Sequence, residues 1–213
     1  RFIAGNAAVG EQFQRLAAAL TDFRPANVAA EFGLATTATS RAPSTSTAPR
    51  TKPHRQARGG SAGGLAAYSS DWKQKIHQMR MRIEKERTPS GQDELAIKTG
   101  QGGLVDVEFI AQALCLEHGW QEANTVRALE RARRRKLLPG ADQLIANYRR
   151  LRRVEGILRR WSYEGETVLP EDPAPYYRVA VRCGFQTPEA FREALAAWRA
   201  AVREVYQQYF GLE

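Results

Sequence analysis

The sequence predicts an all-α protein: a multi-helix bundle with a disordered Ser/Thr/Pro/Ala-rich insertion. Three observations predict it. Apolar residues recur at helical spacing in segment after segment. One segment, Leu104 to His118, is apolar on nearly all sides, which marks a helix buried at the centre of a bundle. No stretch alternates convincingly as a strand would, and no internal repeat is present. The organisation expected is an N-terminal helical segment over 1–33, a basic linker over 34–68, and a helical bundle over 69–213.

The elements follow in order. Ala8 to Leu20 reads as a helix, with Phe13, Leu16, Ala17 and Leu20 at helical spacing after a Gly5-Asn6 turn. The stretch from Ala35 to Gly64 is rich in Ser, Thr, Pro, Ala and Gly and holds almost nothing large and apolar. It cannot bury enough surface to offset its ordering entropy, so it is expected to be disordered. Ser70 is placed to cap a helix from Asp71 to Arg87, with Trp72, Ile76, Met79 and Ile83 as its apolar stripe. Thr88 to Gly91 ends it. A short extended piece, Glu94 to Lys98, leads into glycines and the central helix, which Gly119 closes. A helix over 124–136 precedes the Pro139-Gly140 turn. The longest helix, Asp142 to Tyr163, carries Leu144, Tyr148, Leu151, Val154, Leu158 and Trp161 on one stripe. Pro173 and Pro175 open a short helix that Gly184 ends. Thr187-Pro188 then starts the last one, which carries Phe191, Leu195, Trp198, Val202, Val205 and Tyr209.

Composition excludes several classes. The 213 residues are 43% hydrophobic and 26% charged, values of a globular chain. No apolar run is long enough to span a membrane, and no secretory signal opens the chain. It opens on Arg1, which suggests a fragment or an excised domain. Cys115 and Cys183, with His54, His77 and His118, make neither a zinc spacing nor a disulfide framework. Buried, reduced thiols and a cytoplasmic setting are the expectation. The net charge is +9, yet Arg41, Arg50, Lys52, Arg55 and Arg58 fall in the acid-free stretch between Leu34 and Ser70. Much of the basic balance therefore belongs to the linker. Its charges are sparse and no aromatic is interleaved for base stacking, so nucleic acid is not the expected partner.

The stretch IKTGQGGLVDVEFIAQ, Ile97 to Gln112, is the candidate site. It lacks the G-x-x-x-x-G-K-[ST] of a phosphate loop and the G-x-G-x-x-G of a dinucleotide fold. A glycine turn at a helix start can still present N–H groups to an anion, with Lys98 assisting. Equally, Gly100, Gly102 and Gly103 can serve only as a tight entry to the helix. Asp106 and Glu108 are two apart, about 200° around a helix, so they cannot chelate one metal together. Asp106 suits the positive end of the helix dipole. Glu108, among apolar neighbours, needs an arginine or lysine partner or a place facing a cleft; Gln112 shares its face. The arginines of 127–135 and 149–160 read as solvated faces, with pairing to the acids or phosphate binding as alternatives.

These residues closely resemble a signature of the glutamine synthetase adenylyltransferase family. The pattern is Lys98-x-Gly100-x-Gly102-Gly103-Leu104-Val105-Asp106-Val107-Glu108-Phe109-x-x-Gln112. Arg1 to Phe13 looks like the family segment following its nucleotidyltransferase core. Met79 to Glu86 and Asn147 to Arg159 look like its bundle helices, and the related PII uridylyltransferases share this kind of region. The resemblance implies a parent enzyme that uses ATP and Mg2+ to move AMP onto, or off, glutamine synthetase, with PII protein as a further partner. The core motif G-S-x-x-x-x-D-x-D is absent here, so the chain is expected to lack the catalytic acids and to be inactive alone. By resemblance, Lys98, Gly100, Gly102 and Gly103 approach nucleotide phosphates, with Asp106, Glu108 and Gln112 as polar support of the cleft. Two other readings stay open: a non-catalytic module that binds glutamine synthetase or PII, and an arginine-rich RNA-binding bundle.

Overall fold

The computed structural model describes residues 7–24, 27, 68–162 and 167–212. The expected insertion lies almost wholly outside the described residues, as do Tyr163 and the side chain of Trp161. The chain divides into two compact units, Arg1–Tyr68 and Ser69–Glu213.

The first unit holds helix α1 (Ala7–Leu20). Phe13 and Leu16 were expected on its packed face, but they are 70% and 53% exposed. Phe23 beyond the helix is buried, its ring meeting Tyr68 edge-on with centroids 5.4 Å apart.

The second unit is built from α2 (Trp72–Arg87), α3 (Leu104–His118), α4 (Thr125–Arg134), α5 (Ala141–Ser162), α6 (Pro173–Cys183) and α7 (Pro188–Phe210). Helix α3 lies at its centre, touching α2, α4, α5 and α7. That follows from its sequence: eight of its residues are buried, including Leu104, Val107, Ile110 and Leu114. They pack with Leu144, Leu151 and Val154 of α5 and Phe191, Val202 and Tyr206 of α7 in one core. Gly119 ends α3 in the left-handed conformation at φ 61°, as a C-cap glycine does. Thr187 caps α7, its hydroxyl accepting the Ala190 N–H at 3.2 Å, with Pro188 at the first helical position.

Three local expectations are corrected. Asp71, not Ser70, precedes α2, and it makes no side-chain cap. Met79 is 55% exposed, while its neighbour Arg80 is fully buried. Arg80 stands on the inward face beside the half-buried Ile76 and Ile83, where it pairs with Asp106. Glu94 to Lys98 is turned rather than extended, apart from one antiparallel bridge between Ala96 and Val168. Its hydrogen bonds run from Ile97 N–H to Thr167 O (3.1 Å) and from Leu169 N–H to Leu95 O (2.9 Å). The two thiols are half-buried and unpaired. Burial pushes the Cys183 thiol up to about 11, which makes it a poor nucleophile.

Candidate functional site

The glycine stretch folds as a tight knot of backbone ahead of α3. The first N–H groups of a helix have no partner within it. Here the preceding turn supplies the acceptors. Leu104 N–H donates to Ile97 O and Val105 N–H to Lys98 O, both at 3.1 Å. Gly103 N–H donates to Gly100 O at 3.0 Å, and Gly100 N–H to Ala96 O at 3.1 Å. Asp106, on the first turn, reaches back and accepts the Gly102 N–H at 2.8 Å, one residue ahead of the N-cap Gly103.

The knot leaves no room for side chains on its glycines. A Cβ on Gly102, which has φ +66°, would sit 2.0 Å from the Arg199 carbonyl oxygen. On Gly100 it would lie 2.6 Å from both Ala96 O and the Arg199 guanidinium, and on Gly103 2.7 Å from Lys98 O.

Three arginines hold the knot from outside the motif. Arg80 of α2 is fully buried and donates through Nε to Asp106 Oδ1 and through Nη2 to Gly100 O at 3.0 Å. Its Nη1 lies 3.0 Å from Glu84 one turn on. Arg203 of α7 approaches the other Asp106 oxygen at 3.4 Å. Arg199, also on α7, points its fork at three backbone carbonyls: Gln101 (2.9 Å), Glu94 (2.5 Å) and Asp93 (2.7 Å). Burial lowers the Arg199 pKa, and the nearby Asp106 and Glu94 charges oppose that shift. His77 of α2 lies 3.2 Å from the Tyr206 hydroxyl. Burial, then the Arg203 and Arg80 charges, lower its pKa, so it favours the neutral form.

The motif residues thus have separate surroundings. The N–H groups of Gly100, Gly102 and Gly103 are engaged inside the chain, so a phosphate finds no donor on them. The outward parts of the motif are the half-exposed Lys98 and the exposed Gln101. Asp106, fully buried, is consumed by Arg80, Arg203 and an amide; its oxygens do not fit a metal ion. The described residues hold no cluster of three or more His, Cys, Asp or Glu suited to a metal. Glu108 faces away from Asp106, toward α5. It accepts from the Tyr148 hydroxyl at 3.2 Å and lies 3.4 Å from Arg152. Gln112 is exposed and joins neither group.

Most of the other arginines cover helix faces. Arg131 stacks over Trp120 at 4.6 Å, Arg133 pairs with Asp142 at 2.8 Å, and Arg149 with Glu130 at 3.0 Å. The sequence reading missed Arg80, Arg199 and Arg203. A signal was present, since Arg80 follows Ile76 by four and Arg199 follows Leu195 by four, so each stands on an apolar stripe.

The class defined here is a helical domain whose central helix starts in an arginine-clamped glycine turn. Residues 70–210 match the family described as GlnD PII-uridylyltransferase, and the chain belongs to that family. Curated relatives carry the name bifunctional glutamine synthetase adenylyltransferase/adenylyl-removing enzyme. One from Pseudomonas aeruginosa is 33% identical over 140 residues, covering 62% of this chain and 14% of the relative. One from Bordetella pertussis is 37% identical over 123 residues, covering 54% and 13%. One from Thioalkalivibrio sulfidiphilus is 34% identical over 144 residues, covering 63% and 14%. The chain therefore spans about one-seventh of the relatives it matches.

Proposed function

We propose that this chain is the helical domain of a glutamine synthetase adenylyltransferase, and that it supports a nucleotidyltransferase core rather than performing the transfer. The observation that carries the reading is the glycine motif. Lys98 to Gln112 keeps the family pattern and folds as the clamped start of the central helix. In the parent enzyme, ATP and Mg2+ meet at the core, in the cytoplasm, and AMP moves to or from glutamine synthetase. PII protein is a further partner of that enzyme.

The domain's own residues have two roles in this reading. Arg80, Asp106 and Arg199 fix the turn. Lys98, held by that turn with its ammonium in no ion pair among the described residues, approaches the nucleotide phosphates as a point charge. The described residues hold no group of three or more His, Cys, Asp or Glu placed to bind a metal, and no step here passes through one. No helix among the described residues is long and apolar enough to cross a membrane.

The test is transfer of labelled AMP from Mg-ATP to glutamine synthetase. This chain alone is expected to transfer none, and the intact enzyme to transfer readily. Lys98→Ala in the intact enzyme is expected to lower transfer roughly tenfold or more, the weight of one charge-assisted contact, with an unchanged melting temperature. Robust transfer by this chain alone overturns the supporting role. Full activity of the folded Lys98→Ala enzyme overturns the part given to Lys98.

A further inference from the structure

A cavity of about 520 Å³ opens between α5 and α6, lined by Arg152, Arg153, Gly156, Ile157, Arg160 and Arg182. None of the glycine-motif residues lines it, and no acid is among its described lining residues. Its volume is that of a small-molecule site. Arg152 and Arg160 lie one turn before and after Gly156 on the same helix face, and Arg153 three residues before it. Arg182 of α6 lines the opposite side.

Basic residues gather at helix C-termini because of the helix dipole. That accounts for Arg159 and Arg160 at the end of α5 and Arg182 at the end of α6. It does not account for Arg152 and Arg153, which stand at least two turns from the α5 terminus. Nor does it account for Gly156. Glycine is a poor helix former, yet a Cβ added there would meet nothing within 4 Å. No neighbour among the described residues requires the glycine, and it leaves the floor of the cavity without a side chain.

The guanidiniums around this floor are partly pre-oriented. Arg152 is tethered by Glu155 at 2.6 Å and the Tyr148 hydroxyl at 3.1 Å and lies 3.4 Å from Glu108, yet its side chain stays 45% exposed. Arg153 donates to the Arg182 carbonyl at 3.3 Å, which ties the two walls together. Arg160 is exposed and forms no ion pair among the described residues. Planar guanidinium forks match the oxygens of a phosphate, and several around one opening suit a chain of phosphates.

We propose that this groove binds the polyphosphate part of a small ligand. The site is separate from the glycine turn, and the inference does not depend on the activity proposed above.

The experiment is calorimetric titration of the full chain with inorganic tripolyphosphate and, separately, with ATP, in moderate salt. One saturable site per chain is expected for each. Equal affinities assign the site to the phosphate chain, and tighter ATP binding assigns it to a nucleotide; both support the proposal. Arg153→Gln and Arg160→Gln should each weaken binding roughly tenfold. Gly156→Phe should abolish it with every charge in place and with unchanged helical circular dichroism. The proposal falls if the native chain shows no saturable binding, or if Gly156→Phe binds normally. It also falls if Arg133→Gln weakens binding as much as Arg160→Gln. Tighter binding of a random RNA oligonucleotide that ignores Gly156→Phe would overturn it in favour of a diffuse nucleic-acid face.

Discussion

At the head of α3, Arg80, Asp106 and Gly102 come together in the interior. Where α3 meets α5 a similar set recurs in Glu108 of α3 with Arg152 and Gly156 of α5, but within reach of solvent. Arg80 and Asp106 have no exposure at all, whereas Arg152 and Glu108 keep 45% and 24% of their side chains in solvent. A Cβ on Gly102 would collide with the Arg199 carbonyl, while one on Gly156 would meet nothing. Residue type alone therefore does not reveal a role. A carboxylate out of water must keep its partners, and a glycine under a carbonyl must stay glycine. The surface set is free of both constraints, so its composition answers to something other than packing.

The largest effect expected from this contrast is at Asp106. Replacing it with alanine leaves buried Arg80 with only Glu84 and the Gly100 carbonyl, and frees the Gly102 N–H. Breaking a buried pair from one side costs about 3–5 kcal/mol, so the urea midpoint should fall steeply. Replacing both partners at once, as Arg80→Met with Asp106→Leu, should recover much of that loss, because the uncompensated charge is gone. Asp106→Ala within about 1 kcal/mol of the native chain, the value of an exposed pair, would mean that the interior clamp is not what holds the turn.

Much of this was legible in the sequence, and what was not has a physical cause. The all-α class, the central place of Leu104–His118 and the caps at Gly119 and Thr187 depend on local spacing and local hydrogen bonds. Sequence carries those directly. The opposed faces of Asp106 and Glu108 followed from helix geometry alone. The partners of Asp106 did not, because they come from helices 26 residues before it and 97 after it. The stripe drawn through Met79 failed for the same reason: Arg80 is buried by an ion pair, not by hydropathy. Gly100, Gly102 and Gly103 were read as able to greet a phosphate. Their amides instead close onto the chain, which only the three-dimensional path of Asp93 to Leu104 reveals.

Next in size is the contrast between the two glycines, and it should reverse sign. Gly102→Ala forces a side chain into the left-handed region and against the Arg199 backbone. It should destabilise by roughly 2–4 kcal/mol, from strain and overpacking together. Gly156→Ala places a methyl in open space on a helix and should stabilise by up to about 1 kcal/mol. Both are read from the same thermal and urea transitions. If Gly156→Ala destabilised instead, the groove would be closed by a contact that the α5–α6 geometry does not contain, and the contrast would fail.

The smallest effect belongs to Glu108. Glu108→Gln keeps an oxygen for the Tyr148 hydroxyl and removes only the charge facing Arg152. Arg152 retains Glu155, which is itself buried and also held by Arg159 at 2.9 Å. Solvent reaches the Glu108–Arg152 pair, so water and salt screen it. Such pairs contribute about 0.2–1 kcal/mol. The expected loss lies in that range at low salt and shrinks toward zero in about 1 M salt, where the screening length is near 3 Å. The loss from Asp106→Ala should hardly change with salt, because solvent does not reach it. Measuring both variants across a salt series therefore separates the two acids more sharply than either value alone. A salt-insensitive loss of several kcal/mol at Glu108 would place it with Asp106 as a buried anchor and make the central helix clamped on both sides.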